Sequence, residues 1–384
     1  MKKKRSIQYN KHGGAFRLTA RITVLALLII FLLIPADELS AFEPDYPDFV
    51  WTFNSKPRKI IGGTQKAVYL TGYNLASNQK RDDIYRLIEE TELNAIVFNA
   101  KEDEGHISYN TDVEFFNEIG AVKPLYDIDE ILAEMDERGI YSIARIVLFK
   151  DGILPKARPD LSIQNINNGN PAYLDGGYWA DIYSREVWGY YTELVMELVK
   201  KGIDEIQFDY IRGPSKGKLY LAHYPSNTND REKTWAISSF LETIRKATRN
   251  YQVKISADVY GFVLIAENDQ GIGQLIEELA PYLDYLYPMP YPSHYSSGFL
   301  GYDLPEAHPY EVVKHSLEKG LNRIGNTDCL IIPWIQAFGL QMRYTEREIL
   351  LQLKAAEDLG IDGFLFWNAG NKYSVVERAL KSRL

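Results

Sequence analysis

The chain has 384 residues, of which 46% are hydrophobic and 13% aromatic, and its formal net charge is −9. This length suits one large α/β barrel with an N-terminal extension, or two ordinary domains, and the apolar content excludes an intrinsically disordered chain. The first 21 residues carry seven Lys and Arg side chains and no acid, so the remainder has a formal charge of −16. A body this acidic disfavours polyanions, so we expect no nucleic-acid partner and a neutral or cationic polymer instead.

The N-terminal segment has the pattern of an export signal. Its basic head is followed by Ile22–Ile34, an apolar run in which only Thr23 is polar. Such a run is shorter than the roughly 20 residues that cross a bilayer and is typical of a signal-peptide core. We predict that residues 1–41 form a signal peptide or an uncleaved membrane anchor, two alternatives that stay open, and that residues 42–66 form a linker. The protein is expected to be an exported monomer, either extracellular or tethered to the outer face of the cytoplasmic membrane, with membrane contact only through this segment.

Strand-like and helix-like segments alternate from residue 67 onward. Short apolar runs between turn residues predict the strands Val68–Gly72, Ala95–Ala100, Ser142–Leu148, Glu205–Asp209, Lys254–Asp258, Tyr285–Pro288, Leu330–Ile335 and Gly363–Trp367. Longer amphipathic segments predict the helices Arg81–Thr91, Ile128–Arg138, Arg185–Lys201, Glu232–Arg249, Ile272–Tyr282, Pro309–Lys319, Glu346–Leu359 and Ser374–Leu384. This order predicts a (β/α)8 TIM barrel, an α/β fold, over residues 67–384. An open, doubly wound sheet is the alternative fold.

The C-terminal ends of parallel strands face the active site of a barrel, so polar residues there are functional candidates. Asp209 ends the fourth predicted strand, and Asp258 ends the fifth. Glycoside hydrolysis needs one carboxyl group to protonate the leaving oxygen and another to attack the anomeric carbon or activate water. We therefore predict Asp209 as the nucleophile or base and Asp258 as the acid. The alternatives are a surface ion pair with Arg212 for Asp209, and a loop cap or a partner of Arg212 for Asp258.

The same strand ends supply the residues that we predict to bind substrate. Arg212 and Lys101 are expected to keep Asp209 charged, because nearby positive charge favours a carboxylate. The rings of the Pro-rich stretch from residue 288 to 295, together with Trp334 and Trp367, are predicted to stack on sugars, with packing inside the barrel as the alternative. The predicted binding set is Tyr73, Lys101, Glu102, Asp103, Arg145, Arg212, Tyr260, Tyr291, His294, Trp334, Gln336, Trp367 and Asn368.

Other chemistries lack their sequence signatures. The histidines show no HExxH or HxH spacing, and there is no GxSxG elbow, P-loop or helix-opening GxGxxG motif. We therefore expect neither a metal site nor a cofactor. Cys329 is the only cysteine, which excludes an intramolecular disulfide, and the apolar run around it predicts a buried thiol.

Seven motifs, in order, resemble one known family. They are KEDEGHISY (101–109), RIVLFKD (145–151), DEIQFDYIRGP (204–214), ADVYGF (257–262), YPMPYPSHY (287–295), PWIQAF (333–338) and FWNAGNKY (366–373). The set is similar to the glycoside hydrolase family first catalogued as the domain of unknown function DUF4015, over nearly everything from Tyr69 to Tyr373. The resemblance implies an exported TIM-barrel domain of hydrolase type. The family pattern has an acid before the Lys101 motif where this chain has Asn99, a departure that bears on activity if that acid is catalytic.

The sequence thus predicts a glycoside hydrolase acting on a cell-surface or extracellular polysaccharide. Analogy with barrel glycosidases whose nucleophile ends strand four and whose acid ends strand five fits Asp209 and Asp258. A catalytically inactive, carbohydrate-binding barrel is the first alternative, and another hydrolase with the same strand ends, such as a deacetylase with a bound metal, is the second. Carboxyl groups about 5 to 10 Å apart would support a glycosidase, whereas carboxyls far apart or held in ion pairs would favour binding alone.

Overall fold

The computed structural model describes residues 64–383, and this part of the chain contains eleven strands. In chain order they are β1 (Lys66–Leu70), β2 (Ala95–Lys101), β3 (Tyr141–Val147), β4 (Gln164–Asn165), β5 (Glu205–Asp209), β6 (Ala222–His223), β7 (Lys254–Tyr260), β8 (Tyr285–Met289), β9 (Leu330–Ile331), β10 (Trp334–Gln336) and β11 (Phe364–Trp367). Nine of them form one parallel sheet, in the order β10-β11-β1-β2-β3-β5-β7-β8-β9, while β4 and β6 pair antiparallel in a separate small sheet.

Helices occupy the connections between the strands of the large sheet. They are α1 (Gly72–Ala76), α2 (Asn78–Glu89), α3 (Glu114–Glu118), α4 (Ile128–Arg138), α5 (Leu154–Ala157), α6 (Arg185–Lys201), α7 (Lys233–Thr248), α8 (Ile276–Leu279), α9 (Pro309–Ile324), α10 (Glu346–Glu357) and α11 (Ser374–Lys381). The longer ones bury a stripe of apolar residues three and four apart, as α6 does with Val187, Tyr191, Leu194 and Leu198. These stripes pack against the outer face of the sheet.

The two ends of the sheet belong to one stretch of chain. β9 and β10 are separated only by Ile332 and Pro333, and both of these residues continue the hydrogen bonding. The Ile332 N–H donates to the carbonyl of Leu286 on β8 at 3.0 Å, and the carbonyl of Pro333 accepts from Leu365 on β11 at 3.0 Å. The predicted α/β fold is therefore confirmed as a curled parallel sheet, an arrangement compatible with a TIM-like glycosidase.

Alternate residues of each strand point inside the curl, because the side chains of a strand change face at every residue. The inner core contains Tyr69 of β1, Val97 of β2, Ile143 of β3, Tyr287 of β8 and Trp334 of β10. A second, larger core lies between the sheet and the helices. The inner core therefore sits directly beneath the residues at the C-terminal strand ends.

Several predicted boundaries are confirmed. Glu205–Asp209, Ile128–Arg138 and Arg185–Lys201 have the predicted limits. Gly139 and Gly202 end their helices with φ of 67° and 90°, a left-handed conformation that glycine adopts without strain.

Other boundaries were wrong for identifiable reasons. The predicted strand Leu330–Ile335 is interrupted because Pro333 has no N–H to donate to a neighbouring strand. The predicted strand Val68–Gly72 ends at Leu70, since Thr71 accepts a hydrogen bond from the N–H of Asn74 at 3.2 Å and so begins α1.

The predicted signal or anchor segment lies outside the described residues, as does the predicted linker up to residue 63. Within residues 64–383, we found no helix with both the length and the apolar character needed to cross a bilayer. Cys329 is buried, as predicted.

Candidate active site

Asp209 lies at the C-terminal end of β5 and is held by three hydrogen-bond donors. Arg145 of the neighbouring strand β3 donates from Nε to Asp209 Oδ2 at 3.1 Å and makes a second hydrogen bond to the same oxygen from a terminal nitrogen. The backbone N–H of Tyr210 donates to Asp209 Oδ1 at 2.6 Å. These hydrogen bonds fix the orientation of the carboxylate. Asp209 is 8% exposed, so it still reaches the surface.

Asp258 lies on β7, the strand on the other side of β5. Its Oδ1 accepts a hydrogen bond from Trp334 Nε1 at 2.7 Å, and its Oδ2 is 3.8 Å from Arg145 Nε. Burial raises the pKa of Asp258 well above its usual value, the negative charge of Asp209 raises it further, and Arg145 opposes both effects. Asp258 is only 1% exposed. Its burial and the nearby Asp209 carboxylate therefore favour the protonated form of Asp258.

Arg145 brings the two carboxyl groups together. Since its Nε is 3.1 Å from Asp209 Oδ2 and 3.8 Å from Asp258 Oδ2, those two oxygens are at most about 7 Å apart. Retaining glycosidases have carboxyl groups about 5 to 5.5 Å apart and inverting enzymes about 6.5 to 9.5 Å. This upper limit admits the retaining spacing and the low end of the inverting range, while the Asp209–Arg145 ion pair is the feature expected of a barrel that only binds.

Asn99 of β2 links a third carboxyl group to this cluster. Its Oδ1 accepts from a terminal nitrogen of Arg145 at 2.7 Å, and its Nδ2 donates to the Tyr69 hydroxyl at 2.8 Å and to the half-buried Glu102. An acid at position 99 would add a negative charge beside the guanidinium. Asn99 instead supplies a neutral acceptor and leaves the positive charge of Arg145 to the two aspartates.

The residue after Asp209 has a strained backbone. Tyr210 has a φ of 50°, in the left-handed region that a bulky side chain rarely adopts and that costs on the order of 1–3 kcal/mol. This conformation accompanies the hydrogen bond from the Tyr210 N–H to Asp209, and the Tyr210 ring packs against Trp179, with 5.9 Å between ring centres. The strain is therefore located directly beside the candidate nucleophile.

The expectation that Arg212 keeps Asp209 charged is wrong, because Arg212 has other partners. Its guanidinium donates to Asp175 Oδ2 at 3.1 Å and lies 4.5 Å from the ring centre of Tyr260 and 5.0 Å from that of Trp179. Arg212 follows the strained turn at residue 210 and belongs to the loop rather than to the interior of the sheet. Arg145, and not Arg212, is the arginine that contacts Asp209.

Lys101 also differs from expectation. It is completely buried, its Nζ lies 2.9 Å from Asp151 Oδ2, and it donates to the carbonyl of Val147 at 2.8 Å. Asp151 in turn accepts from the N–H of Leu154 at 2.8 Å. Lys101 therefore ties β2 to the loop after β3 and is too deeply buried to contact a substrate or to support Asp209 as predicted.

The other predicted binding residues separate by exposure. Trp334, Tyr291 and Gln336 are buried, which agrees with the alternative that they pack inside the fold. Gln336 Oε1 accepts from the N–H and hydroxyl of Ser293, at 3.1 and 2.9 Å, and so ties β10 to the loop after β8. The residues that reach the surface are Tyr73, Asp103 and His294, which are exposed, and Glu102, Tyr260, Trp367 and Asn368, which are half-buried.

The sequence did not indicate which residues form ion pairs with Asp209, Arg212 and Lys101. Arg145 was included only as one of several binding residues, although a charged side chain inside the apolar run RIVLF indicates a buried partner. Asp175 and Asp151, which hold Arg212 and Lys101, lie in loops whose folding no periodicity reports. No group of three or more His, Cys, Asp or Glu side chains within residues 64–383 is arranged to hold a metal ion.

A curled parallel α/β sheet with helices outside is compatible with the class of TIM-like glycosidases. The chain belongs to the family DUF4015, whose model is described as "Putative glycosyl hydrolase domain" and matches residues 67–373. The predicted family resemblance is therefore confirmed. A comparison with curated proteins gave no match.

Two of the matching solved structures share the fold, and a third is similar in sequence over half of this chain. The glycoside hydrolase domain of PgaB (BpsB) from Bordetella bronchiseptica matches with a TM-score of 0.60 and 14% identity, over 83% of this chain and 98% of that one. The α-galactosidase from Lactobacillus brevis matches with a TM-score of 0.51 and 11% identity, over 83% of this chain and 40% of that one. A hypothetical protein from Ruminiclostridium thermocellum is 35% identical over 50% of this chain and 97% of its own, with a TM-score of 0.46.

Proposed function

We propose that the protein is a (β/α)8-barrel glycoside hydrolase that cleaves a polysaccharide with Asp209 and a second carboxyl group at the C-terminal strand ends. The observation that carries the proposal is the pair Asp209 and Asp258 on either side of Arg145, at most about 7 Å apart. One member is ion-paired and partly exposed, while the other is driven toward its protonated form. Two carboxyl groups with different protonation are what an acid and nucleophile pair requires.

Asp209 acts as the nucleophile in this proposal. Its oxygen forms a bond to the anomeric carbon as the glycosidic C–O bond breaks, and the acid transfers its proton to the leaving oxygen. Water then attacks the glycosyl-enzyme, its proton returns to the acid residue, and Asp209 is released. The limit of about 7 Å includes the retaining spacing and only the low end of the inverting range, which supports retention.

Asp258 is assigned the acid role because burial and Asp209 both raise its pKa. Its exposure of 1% is low for a residue that must touch the leaving oxygen. Glu102 is the second candidate, since it is half-buried and connects through Asn99 to the same guanidinium. The two assignments differ in what each variant does to substrates with poor leaving groups.

The proposed substrate is a neutral or cationic polysaccharide at the cell surface or outside the cell. The formal charge of −9 supports this substrate class, because an acidic protein repels polyanions. The basic head and the apolar run Ile22–Ile34 support export.

A carbohydrate-binding barrel without activity is the second candidate function. It is favoured by the ion pair that occupies Asp209 Oδ2 and by the deep burial of Asp258. Such a protein would keep the half-buried rings of Tyr260 and Trp367 for binding sugars.

The deciding experiment is a glycan screen with the full-length chain in mild detergent, beside its Asp209→Asn variant. p-Nitrophenyl glycosides and labelled neutral and cationic polysaccharides are offered to both. We expect a product from the wild type and a loss of about a thousandfold in kcat/KM in the variant, as for removal of a nucleophile. Equal activity in the variant would end the assignment of Asp209, and binding by both without any product would favour the inactive barrel.

A further inference from the structure

The exposed large apolar side chains of the described residues are concentrated on one side of the molecule. They are Tyr73, Ile166, Tyr173, Leu219, Tyr220, Phe262, Leu300, Leu330 and Leu340. All except Leu330 lie between the C-terminal end of a strand of the large sheet and the next long helix. This is the side of the sheet on which Asp209 lies. Scattered exposed apolar residues are normal on a protein surface, but this one-sided distribution requires an explanation.

Four of these side chains belong to what we call the double loop, residues 161–180 after β3 and residues 213–224 after β5. Ile166 and Tyr173 are 62% and 66% exposed, and Leu219 and Tyr220 are 40% and 78% exposed. The two halves are joined by the β4–β6 pairing and by a hydrogen bond of 2.9 Å from the N–H of Ile166 to the carbonyl of Leu221. The exposed groups therefore share one folded surface.

The double loop is anchored beside the candidate active site. The N–H of Asp175 donates to the carbonyl of Lys216 at 3.0 Å, and its carboxylate accepts from Arg212 at 3.1 Å and from the Ser215 hydroxyl at 2.8 Å. Arg212 in turn packs on the ring of Tyr260, which ends β7 two residues after Asp258. The exposed tyrosines are thus carried by a structure fixed to the two strands that hold the carboxyl groups.

The chemistry of this surface fits a neutral sugar polymer. Residues 161–174 contain no charged side chain, and Asn165, Asn167, Asn168 and Asn170 lie there among apolar and small residues, while residues 213–224 carry the exposed Lys216 and Lys218. The side-chain amide nitrogens of these four asparagines donate no hydrogen bond to any other described residue. Tyrosine rings stack on the apolar face of a sugar, and free amides bind its hydroxyl groups.

We propose that the double loop is an accessory surface that binds a neutral polysaccharide chain while another part of the same chain occupies the cleft at Asp209. The inference rests on the proposed function for its active site, but its binding role is independent of hydrolysis. It makes the natural substrate a long polymer rather than a short oligosaccharide. Binding at two places along one chain raises the local concentration of the bonds to be cleaved.

The test is affinity electrophoresis of the full-length chain in native gels containing galactomannan as a neutral polymer, with glycol chitosan and alginate as cationic and anionic comparisons. We expect galactomannan to retard the wild type. The double variant Tyr173→Ala/Tyr220→Ala is expected to bind about tenfold more weakly, because it loses two stacking rings. Tyr173→Phe/Tyr220→Phe keeps the rings and is expected to retain binding. Leu330→Ala, an exposed apolar residue at the start of β9, is the control on the opposite side of the sheet.

A second readout separates this proposal from the proposed activity. If a p-nitrophenyl glycoside is hydrolysed, the double alanine variant should keep its kcat/KM on that short substrate while losing it on the polymer. Equal retardation of the wild type and the double alanine variant, or no retardation of the wild type by galactomannan, would overturn the accessory surface. Neither result would affect an Asp209-dependent hydrolysis of short glycosides, which tests the active site alone.

Discussion

Two acids on one strand and one face of the sheet have opposite environments. Asp209 ends β5 next to the guanidinium of Arg145 and reaches the surface, whereas Glu205 begins the same strand and is completely buried. Glu205 Oε1 accepts from the Ser256 hydroxyl at 2.6 Å, and Glu205 forms no ion pair with any described residue. Burial raises the pKa of Glu205 to about 7 despite its hydroxyl partners.

The comparison shows where this fold places its charge. At the C-terminal end of the strand, a cation compensates the carboxylate and solvent can reach it. At the N-terminal end, hydroxyl groups surround an acid that gains from keeping its proton. This division follows the general separation of function and stability between the two ends of a parallel barrel.

Replacing Arg145 with Met should have the largest effect, because it removes the cation that separates the environment of Asp209 from that of Glu205. Asp209 would become a buried carboxyl group without a cation, and removal of one partner from a buried ion pair costs about 3–5 kcal/mol of unfolding free energy. We expect a loss of this size at pH 7. Chemical denaturation at that pH measures it.

Arg212→Met is the matched variant, since Arg212 is also a buried arginine paired with an aspartate. It should lower stability as well, but leave the pH profile of short-glycoside hydrolysis unchanged. A shift of that profile by Arg212→Met and not by Arg145→Met would contradict the conclusion that Arg145, and not Arg212, sets the environment of Asp209.

Asp258→Asn and Glu102→Gln should show which of the two residues is the general acid. If Asp258 protonates the leaving oxygen, its variant should lose about a hundredfold in kcat/KM on a substrate with a poor leaving group, in line with the contribution of general acid catalysis. The same variant should lose far less on a dinitrophenyl glycoside, whose leaving group needs no proton. Should Glu102→Gln show this pattern and Asp258→Asn not show it, the acid is Glu102.

Glu205→Gln should have the smallest effect on activity and a distinct effect on stability. Because its pKa is raised to about 7 in the folded state from 4.5 when unfolded, the native state binds more protons between these values. The wild type should therefore lose unfolding free energy as pH rises from about 4.5 to 7, by up to about 3 kcal/mol above pH 7. The glutamine variant lacks this loss, so the stability difference between the two should shift in favour of the variant with rising pH. A difference in unfolding free energy that stays constant from pH 4.5 to 7 would contradict the raised pKa of Glu205.

The sequence predicted the α/β fold, the positions of the main strands and the two aspartates at adjacent strand ends, because hydrophobic periodicity is local information. It did not predict which cation contacts which acid. Arg212 is three residues from Asp209 in sequence, yet Arg145 from another strand is its partner. That choice depends on which face of the strand each side chain occupies and on the left-handed turn at Tyr210, neither of which a pattern of residue types records.

The interruption at Pro333 gives the sheet one side that is easier to open than the others. β9 and β10 together pair through fewer residues than β2 or β3, so local unfolding should begin there and the amide protons of this segment should exchange with solvent before those of the neighbouring strands. Trp334 follows Pro333 and begins β10, so it is part of this segment. It donates its indole N–H to Asp258. Transient opening of this segment would therefore remove the indole donor from Asp258 and expose its buried carboxyl group to solvent.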